Sequence, residues 1–478
     1  MTNDTPVLPT DPDGVTGTLA TWIAGLELRQ VPDAVQERAK HLLLDGFACG
    51  LIGAQLPWSV RAVEAVRSFE GEGSSPLIGW GLTTSGPAAC VLNGTFIQGF
   101  ELDDYHPRAP LHSNSLVIPS VIATAHALGT TSGKDFLSAA IAGYEVGPRV
   151  GLALHGGEML SRGWHSGSVF GTHASAAAAG CLRDLNPSQM EDALGLAATQ
   201  SGGLMAAQYE AMSKRMHHGF ASRNGFYAAG LASAGYTGIK RVYEREYGGF
   251  LTTFGEGHDP IASEVSAGLG EVWETGEIAV KAYAAMAATH APIDCVLTLR
   301  ADGLRADDVE SMEVWVSHAA YHHGWWEPER PLETIGAQMN IGYALAVALL
   351  DGEVLTSQFT RARIDAQDVW DLLARTKVHH DESFDDSQGL RRMSARLVVK
   401  TRDGSEREGE VDGPTGGTGR PLSNEQIRGK CRALLRDVID SAAWSHIESL
   451  VLGLEELDDV SELIAAVCEP VDSPDITL

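Results

Sequence analysis

Between Glu101 and Ser115 the chain reads Glu-Leu-Asp-Asp-Tyr-His-Pro-Arg-Ala-Pro-Leu-His-Ser-Asn-Ser, three carboxylates and two histidines within fifteen positions. Carboxylate beside imidazole is the equipment of proton transfer, because an imidazole titrates near neutrality and a carboxylate can hold it in one orientation. Pro107 and Pro110 forbid a regular helix here. One apolar helical run ends at Phe100 and another begins near Pro119, so the segment is expected to be a loop held between two packed helices. Such loops present polar side chains rigidly and commonly carry function. The competing account is a solvated surface loop in which Asp103 and Asp104 only cap.

Four further stretches place polar residues in apolar or glycine-rich settings. In Arg162-Gly-Trp-His-Ser-Gly-Ser168, His165 stands between two glycines ahead of a helix expected to begin near Val169, whose free backbone N–H groups suit a carboxylate. Ser213-Lys-Arg-Met-His-His-Gly219 gathers Lys214, Arg215, His217 and His218 in an otherwise acidic chain. Lys281 interrupts the apolar run Ile278–Ala284. A lysine buried without a carboxylate partner is costly, and snorkelling is its bland explanation. Tyr321-His-His-Gly-Trp-Trp326 sets two histidines and three aromatics at a strand end. Each stretch alone reads equally well as a cap, a solvated turn or a surface feature. Together they point to one cavity lined by histidines and lysines with the acidic loop across from them, the electrostatics that a di- or tricarboxylate demands. The chain has no Walker loop, Rossmann fingerprint, Gly-x-Ser-x-Gly elbow or His-Glu-x-x-His pair. Phosphoryl transfer, hydride transfer and serine or zinc hydrolysis thereby lose their usual sequence support.

At 478 residues the chain is too long for one ordinary core, and two or three domains are expected. A formal net charge of −28 disfavours nucleic acid and anionic membranes as partners. No apolar run reaches transmembrane length, and Met1–Pro6 reads as a short disordered leader rather than a signal peptide. The six cysteines are scattered with no Cys-x-x-Cys pair, which speaks for buried thiols in a reducing, cytoplasmic setting and against an iron–sulfur cluster or structural zinc.

The elements that must position these residues follow from periodicity. Helical spacing covers residues 33–53, 87–100, 119–128, 136–154, 171–182, 189–202 and 226–235, an Ala- and Gly-rich set expected to pack as one all-helical domain. Near Glu271 the composition shifts. Val309–His318 alternates like a strand, and Ala395–Val411 reads as a hairpin turning at Asp403-Gly404. Between them the spacing predicts helices over 337–350 and 357–376, so a smaller α+β domain is expected over 269–412. After a Pro/Gly/Thr linker at 413–419, helices over 423–437, 441–457 and 460–467 are too short to enclose a core and are expected to return to the first domain. The expected organisation is a helical domain from residues 1–268 and 413–478, with the α+β unit inserted.

The order of these motifs resembles the MmgE/PrpD family over nearly the whole chain. It is carried by the Glu101–Ser115 loop, Gly-Tyr-Glu-Val-Gly-Pro-Arg at 143–149, Gly-Trp-His-x-Gly at 163–167, Ser-Lys-Arg-x-x-His-Gly at 213–219, Val-Lys-Ala-Tyr at 280–283 and Gly-Trp-x-x-x-x-Arg-Pro at 324–331. Within the family the chain looks most like the fungal enzymes that decarboxylate cis-aconitate. The resemblance implies a cofactor-independent, metal-free lyase, a large helical domain with an inserted lid, and a homodimer. It implies catalytic roles for Glu101, His112, His165, Lys214 and Lys281. Asp103 or Asp104 is then expected to orient His112, Tyr105 to stand in the catalytic loop, and Asp104, His217 and either Tyr321 or His322 to contact substrate. Two other family chemistries stay open: dehydration of a citrate or 2-methylcitrate type of substrate, and epimerisation. A noncatalytic binding protein is the reading of a different class.

Overall fold

A computed structural model describes residues 7–209, 211–385, 391–417, 419–474 and 476; the leader expected at Met1–Pro6 lies outside them. Most of the molecule is helical, as expected. Its centre is a set of helices rich in small residues: α1 (Asp33–Ala54), α2 (Gly86–Ile97), α3 (Asn114–Leu128), α4 (Gly133–Ala153), α5 (Ser166–Leu182) and α6 (His217–Ser233). Alanine and glycine faces let these helix axes approach closely, and α5 is buried along nearly its whole length between α4 and α6. No helix among the described residues is long and apolar enough to cross a membrane. All six cysteines are free and five are buried.

The start of α3 differs from the periodicity reading. It begins at Asn114 and runs through Pro119. Asp104 causes this, because its two carboxylate oxygens accept the backbone N–H groups of Ser113 (2.7 Å) and Asn114 (2.9 Å) and satisfy donors at the helix start. Pro119 then falls in the second turn, where it omits a single helical hydrogen bond.

Asp104 and Tyr105 form a short strand, β1, antiparallel to β2 (Ala279–Val280). Beyond it, α7 (His290–Ala301) packs on a four-stranded sheet of β3 (Val309–Val316), β4 (Thr376–His380), β5 (Ala395–Thr401) and β6 (Glu406–Val411), in the order β4-β3-β5-β6. The β5–β6 hairpin turns at Asp403-Gly404, with Gly404 at φ +86°, as the Asp-Gly pair predicts. β4 was not expected. It pairs parallel with β3 and starts at Thr376, the last residue of the helix expected over 357–376, where the chain instead makes only short helical turns. After β3 comes α8 (His318–Gly324), and the expected 337–350 helix is interrupted at Asn340, whose side chain caps α9 (Ile341–Asp351).

The last helices return to the first ones. From α10 (Asn424–Leu435), Lys430 Nζ reaches Asp45 Oδ1 of α1 at 2.7 Å, and past α11 (Ser441–Leu452) Glu455 accepts from Lys40 Nζ at 2.9 Å. Within the segment read as a linker at 413–419, Gly416 is held in place: its carbonyl accepts from Val280 N at 3.2 Å.

Candidate active site

Pairing of β1 with β2 decides the site, because it sets Lys281, the residue after β2, against Glu101 and Asp103 just before β1. Lys281 is 1% exposed, with Nζ 3.1 Å from Glu101 Oε2 and 3.8 Å from Asp103 Oδ1. Snorkelling is thereby ruled out. Lys214, delivered by the turn before α6, holds the other oxygen of Glu101. Two ammonium groups thus share one carboxylate. Burial opposes ionisation of Glu101, but Lys214 and Lys281 outweigh it and hold the carboxyl well below its ordinary range. For Lys214 burial is the larger influence and lowers its pKa, with Glu101 acting against it. Glu101 also has φ +56°, a left-handed conformation that costs a non-glycine residue of order 1 kcal/mol and clusters at functional sites.

These residues open into a cavity of about 140 Å³. Six of the expected site residues line it: Glu101, Tyr105, His112, His165, Lys214 and Lys281. His112 Nδ1 lies 3.0 Å from Asp103 Oδ1, within ion-pair distance but too oblique for a well-formed hydrogen bond. Asp103 is fully buried, and neither of its oxygens has a hydrogen-bond donor among the described residues. Asp103, not Asp104, is therefore the carboxylate beside His112.

His165 precedes α5, its Nδ1 3.1 Å from Ser168 Oγ, and it stacks edge-on with His217 (4.4 Å) and His218 (5.0 Å). Gly167 is what admits His218: a Cβ there would lie 2.0 Å from His218 Nε2. The Ser115 hydroxyl donates to His112 O (2.9 Å), so its oxygen accepts from His218 Nδ1–H (2.9 Å), and the bare Nε2 has no partner among the described residues. Burial, followed by neighbouring cations and imidazoles, holds the His165 and His218 pKa values well below the ordinary one. His165 is accordingly a neutral hydrogen-bonding group in the free protein rather than a preorganised cation.

Asp104, His217, Tyr321 and His322, expected to contact substrate, stand outside the cavity lining. Asp104 does not face the cavity; it is spent on the N-terminus of α3, and burial, with Asp103 next, raises its pKa. His217 stands behind His165, outside the lining. Tyr321 and His322 point elsewhere, because α8 turns Ala319, Ala320 and His323 toward the cavity and neighbouring positions on a helix face different directions. The other basic residue of the 213–219 turn, Arg215, is structural: its guanidinium lies over Trp58 at 4.0 Å and donates to Gln338 Oε1 at 3.0 Å.

The lining also includes His106, His218, His323 and Arg392, none of them among the expected site residues. His106 has both ring nitrogens occupied: Nδ1 accepts from Ala109 N (3.0 Å), so Nε2 carries the proton and donates to Glu274 Oε2 (3.0 Å). It has no free nitrogen to stand in for His112. For His218 the signal was its place in the same basic turn as Lys214, and for His323 it was helical phase. No group of three or more His, Cys, Asp or Glu side chains among the described residues is arranged to hold a metal ion.

Chemically, the arrangement offers an imidazole with a buried carboxylate beside it, two lysines fixed by one glutamate, and an apolar wall that includes Met205, Met286, Met339 and Met393. It suits an anionic substrate that must gain or lose a proton at carbon.

Comparison with known proteins agrees with that chemistry. Residues 17–261 match the MmgE/PrpD N-terminal domain and residues 283–456 the MmgE/PrpD C-terminal domain. The chain is 44% identical to the cis-aconitate decarboxylase-like protein oryM of Aspergillus oryzae, over 96% of this chain and 99% of that one. It is 42% identical to the cis-aconitate decarboxylase of Aspergillus terreus (96% and 97% covered) and 27% identical to the cis-aconitate decarboxylase of Homo sapiens (95% and 95% covered). With both domain matches in chain order and this identity over nearly its full length, the chain belongs to the MmgE/PrpD family.

Proposed function

We propose that this protein is a cofactor-independent carboxy-lyase that converts cis-aconitate to itaconate and CO2. The observation that carries the reading is His112 beside buried Asp103, in a cavity that also holds the Glu101–Lys214–Lys281 cluster. Relatives 42% identical over nearly the whole chain are cis-aconitate decarboxylases, which supports it. In the reaction, the bond between the methylene carbon and its carboxylate breaks and CO2 leaves. The electron pair forms a new double bond to the central carbon, while the old alkene pair moves to the far carbon and its carboxylate. A proton then adds to that far carbon. No electron sink beyond the substrate's own conjugated carboxylate is needed. Lys214 and Lys281, already fixed by Glu101, face the developing negative charge without reorganising. His112 delivers the proton from Nε2, while Asp103 sets its ring orientation and balances its charge. Neutral His165 and the Tyr105 hydroxyl supply hydrogen bonds to the spectator groups. Incubating the protein with cis-aconitate, citrate and 2-methylcitrate, with products followed by NMR, tests this: itaconate from cis-aconitate is expected, and dehydration of either hydroxy acid without itaconate would replace decarboxylation.

In the same reading, residues 269–412 form a lid over a helical domain built from 1–268 and 413–478. Ala319, Ala320, His323 and Arg392, which come from the sheet-bearing part to line the cavity, support this. The protein acts as a homodimer. Phe220, Tyr227 and Leu231 support that part, being exposed at 37–45% on one face of α6, a spacing that makes an apolar stripe suited to a second copy. Free, mostly buried thiols fit a cytoplasmic setting.

A further inference from the structure

The cavity meets its substrate with fewer available positive charges than its lining suggests. Lys214 and Lys281 are both bound to Glu101, and Lys281 also stands 3.8 Å from Asp103. Against them the substrate brings three carboxylates. His165 and His218 are kept neutral by burial, and burial, with Arg392 next, holds His323 at about 4. One lining cation differs. The guanidinium of Arg392 makes no hydrogen bond and has no carboxylate at ion-pair distance among the described residues.

Glu158 and Asp385 act on it through space without reaching ion-pair distance, and its surroundings fix its position. The backbone carbonyl of Arg392 accepts from Ser317 Oγ at 2.7 Å, and the same hydroxyl caps the start of α8. The loop that carries Arg392 and the helix that carries His323 are therefore fastened together at the cavity wall. On the other side the guanidinium packs against Gly157, where a Cβ would lie 1.7 Å from Nη1. Any side chain at 157 would push the charge out of this place. A half-buried guanidinium with unused donors, fixed in the wall of a cavity that also holds an already paired lysine cluster, matches the planar two-oxygen geometry of a carboxylate.

We propose that Arg392 anchors one of the two spectator carboxylates of the substrate, and so makes the sheet-bearing part of the chain a direct participant in substrate binding. This rests on the decarboxylase reading. Arg392 contacts a group that does not react, so it supplies binding that is equal in ground and transition states, and its loss falls on KM rather than kcat.

The test compares Arg392→Gln, Arg392→Lys and Gly157→Ala with wild type. Initial rates of itaconate formation are measured, together with inhibition by citraconate, a dicarboxylate that keeps both spectator groups and lacks the leaving one. Arg392→Gln is expected to raise KM for cis-aconitate and Ki for citraconate roughly ten- to hundredfold, the effect of losing one charged hydrogen-bonded pair, with kcat changed less than about threefold. Arg392→Lys should recover part of the loss. Gly157→Ala, which keeps the charge but displaces it, should fall between. Melting temperatures confirm that the variants compared are folded. A KM within twofold of wild type in Arg392→Gln overturns the assignment, as does a fall in kcat at unchanged KM, or a citraconate Ki that does not move. If wild type itself forms no itaconate, the decarboxylase reading fails and the anchor falls with it; normal wild-type turnover beside an unchanged variant KM removes the anchor alone.

Discussion

Two buried clusters of charge, both inside motifs that mark the family, differ in how completely their atoms are used. In Gly-Tyr-Glu-Val-Gly-Pro-Arg of α4, Glu145 Oε1 accepts from Thr275 N (2.8 Å) and Thr275 Oγ1 (2.6 Å), and Oε2 from Glu274 N (3.1 Å) and Arg149 Nη2 (3.3 Å). Arg149 Nη2 donates in turn to Val272 O at 2.6 Å. Each oxygen of Glu145 is occupied, and neither residue lines the cavity. Burial, the larger influence there, raises the Glu145 pKa despite these bonds. Around Glu101 the pattern is the reverse: two lysines drive its pKa down, while both oxygens of Asp103, Nδ1 of His112 and Nε2 of His218 lack hydrogen bonds among the described residues. Unpaired buried polar atoms cost about 1–3 kcal/mol each. A cluster that keeps several of them beside a cavity is arranged for a ligand that will complete it, whereas the saturated cluster at Glu145 ties α4 to the segment leading into β2 and so holds Lys281 in place.

The largest effect that separates the two clusters is expected from His112→Ala. Turnover should fall by about 10³-fold or more, within the range for a lost general acid, while substrate Kd stays within about tenfold. The loop remains fixed without the imidazole, since Asp104 still binds the start of α3 and His106 still binds Glu274. Calorimetry and turnover on one preparation decide the point; a variant that melts early yet turns over normally would make His112 a structural residue.

Glu145→Ala is the converse case. Removing one partner of a buried ion pair and leaving Arg149 with only backbone carbonyls is expected to cost about 3–5 kcal/mol of stability. Turnover per folded molecule should persist at a permissive temperature. Should kcat collapse in protein that is still folded, the division into a structural and a functional cluster would be lost.

Lys281→Ala comes next, at about 2–4 kcal/mol on kcat/KM, the scale for one preorganised electrostatic donor. Near-normal kcat/KM would mean that Lys281 serves only to neutralise Glu101. Extended dialysis against a chelator is expected to leave activity unchanged, and recovery by one divalent ion after a loss would reassign Asp103 as a ligand.

How much of this was legible beforehand follows the range of each cause. Local causes were readable. Alternation marked β3, Asp-Gly marked the hairpin turn, and a lysine in an apolar run marked Lys281. The six lining residues shared by expectation and structure lie in stretches where polar types recur against an apolar or glycine-rich background. What failed depended on long-range placement. The carboxylate of Asp104 looks like that of Asp103 in sequence, and only the position of the α3 N-terminus separates them. His322 and His323 differ by one helical step, so the phase of α8 selects between them. β4 carries its own period-two signal, with Thr376 and Val378 buried and Lys377 exposed, which the helical spacing of the preceding residues obscured. Arg392 had no local mark at all, because what makes it available is that no carboxylate among the described residues comes within ion-pair distance of it, which the folded chain alone decides.

The smallest expected effect is a pH dependence that also distinguishes the clusters. Burial lowers the pKa of His165, His217, His218 and His323, with His217 and His323 each at about 4. In the unfolded chain these imidazoles titrate near 6.5, so below that value the unfolded state binds more protons than the folded one. Their contribution to stability is therefore complete above about pH 6.5 and is lost as pH falls from there toward 4. The slope is at most about 1.4 kcal/mol per pH unit for each histidine, less for the partly exposed His217 and His323. Glu101 adds to the same trend at lower pH, since its depressed folded pKa makes its contribution disappear only as pH falls below the ordinary carboxylate range. A polycarboxylate in the cavity brings negative charge to His165 and His218, favours their protonated forms and should flatten the decline. Melting temperatures between pH 7.5 and 5.0, with and without citraconate, measure both effects: the fall should be steeper in the free protein, and His218→Gln should reduce it. A melting temperature that stays level between pH 6.5 and 5.0 would show that these imidazoles take up protons in the folded protein as readily as in the unfolded chain, and His165 would then be open to a cationic role below that pH.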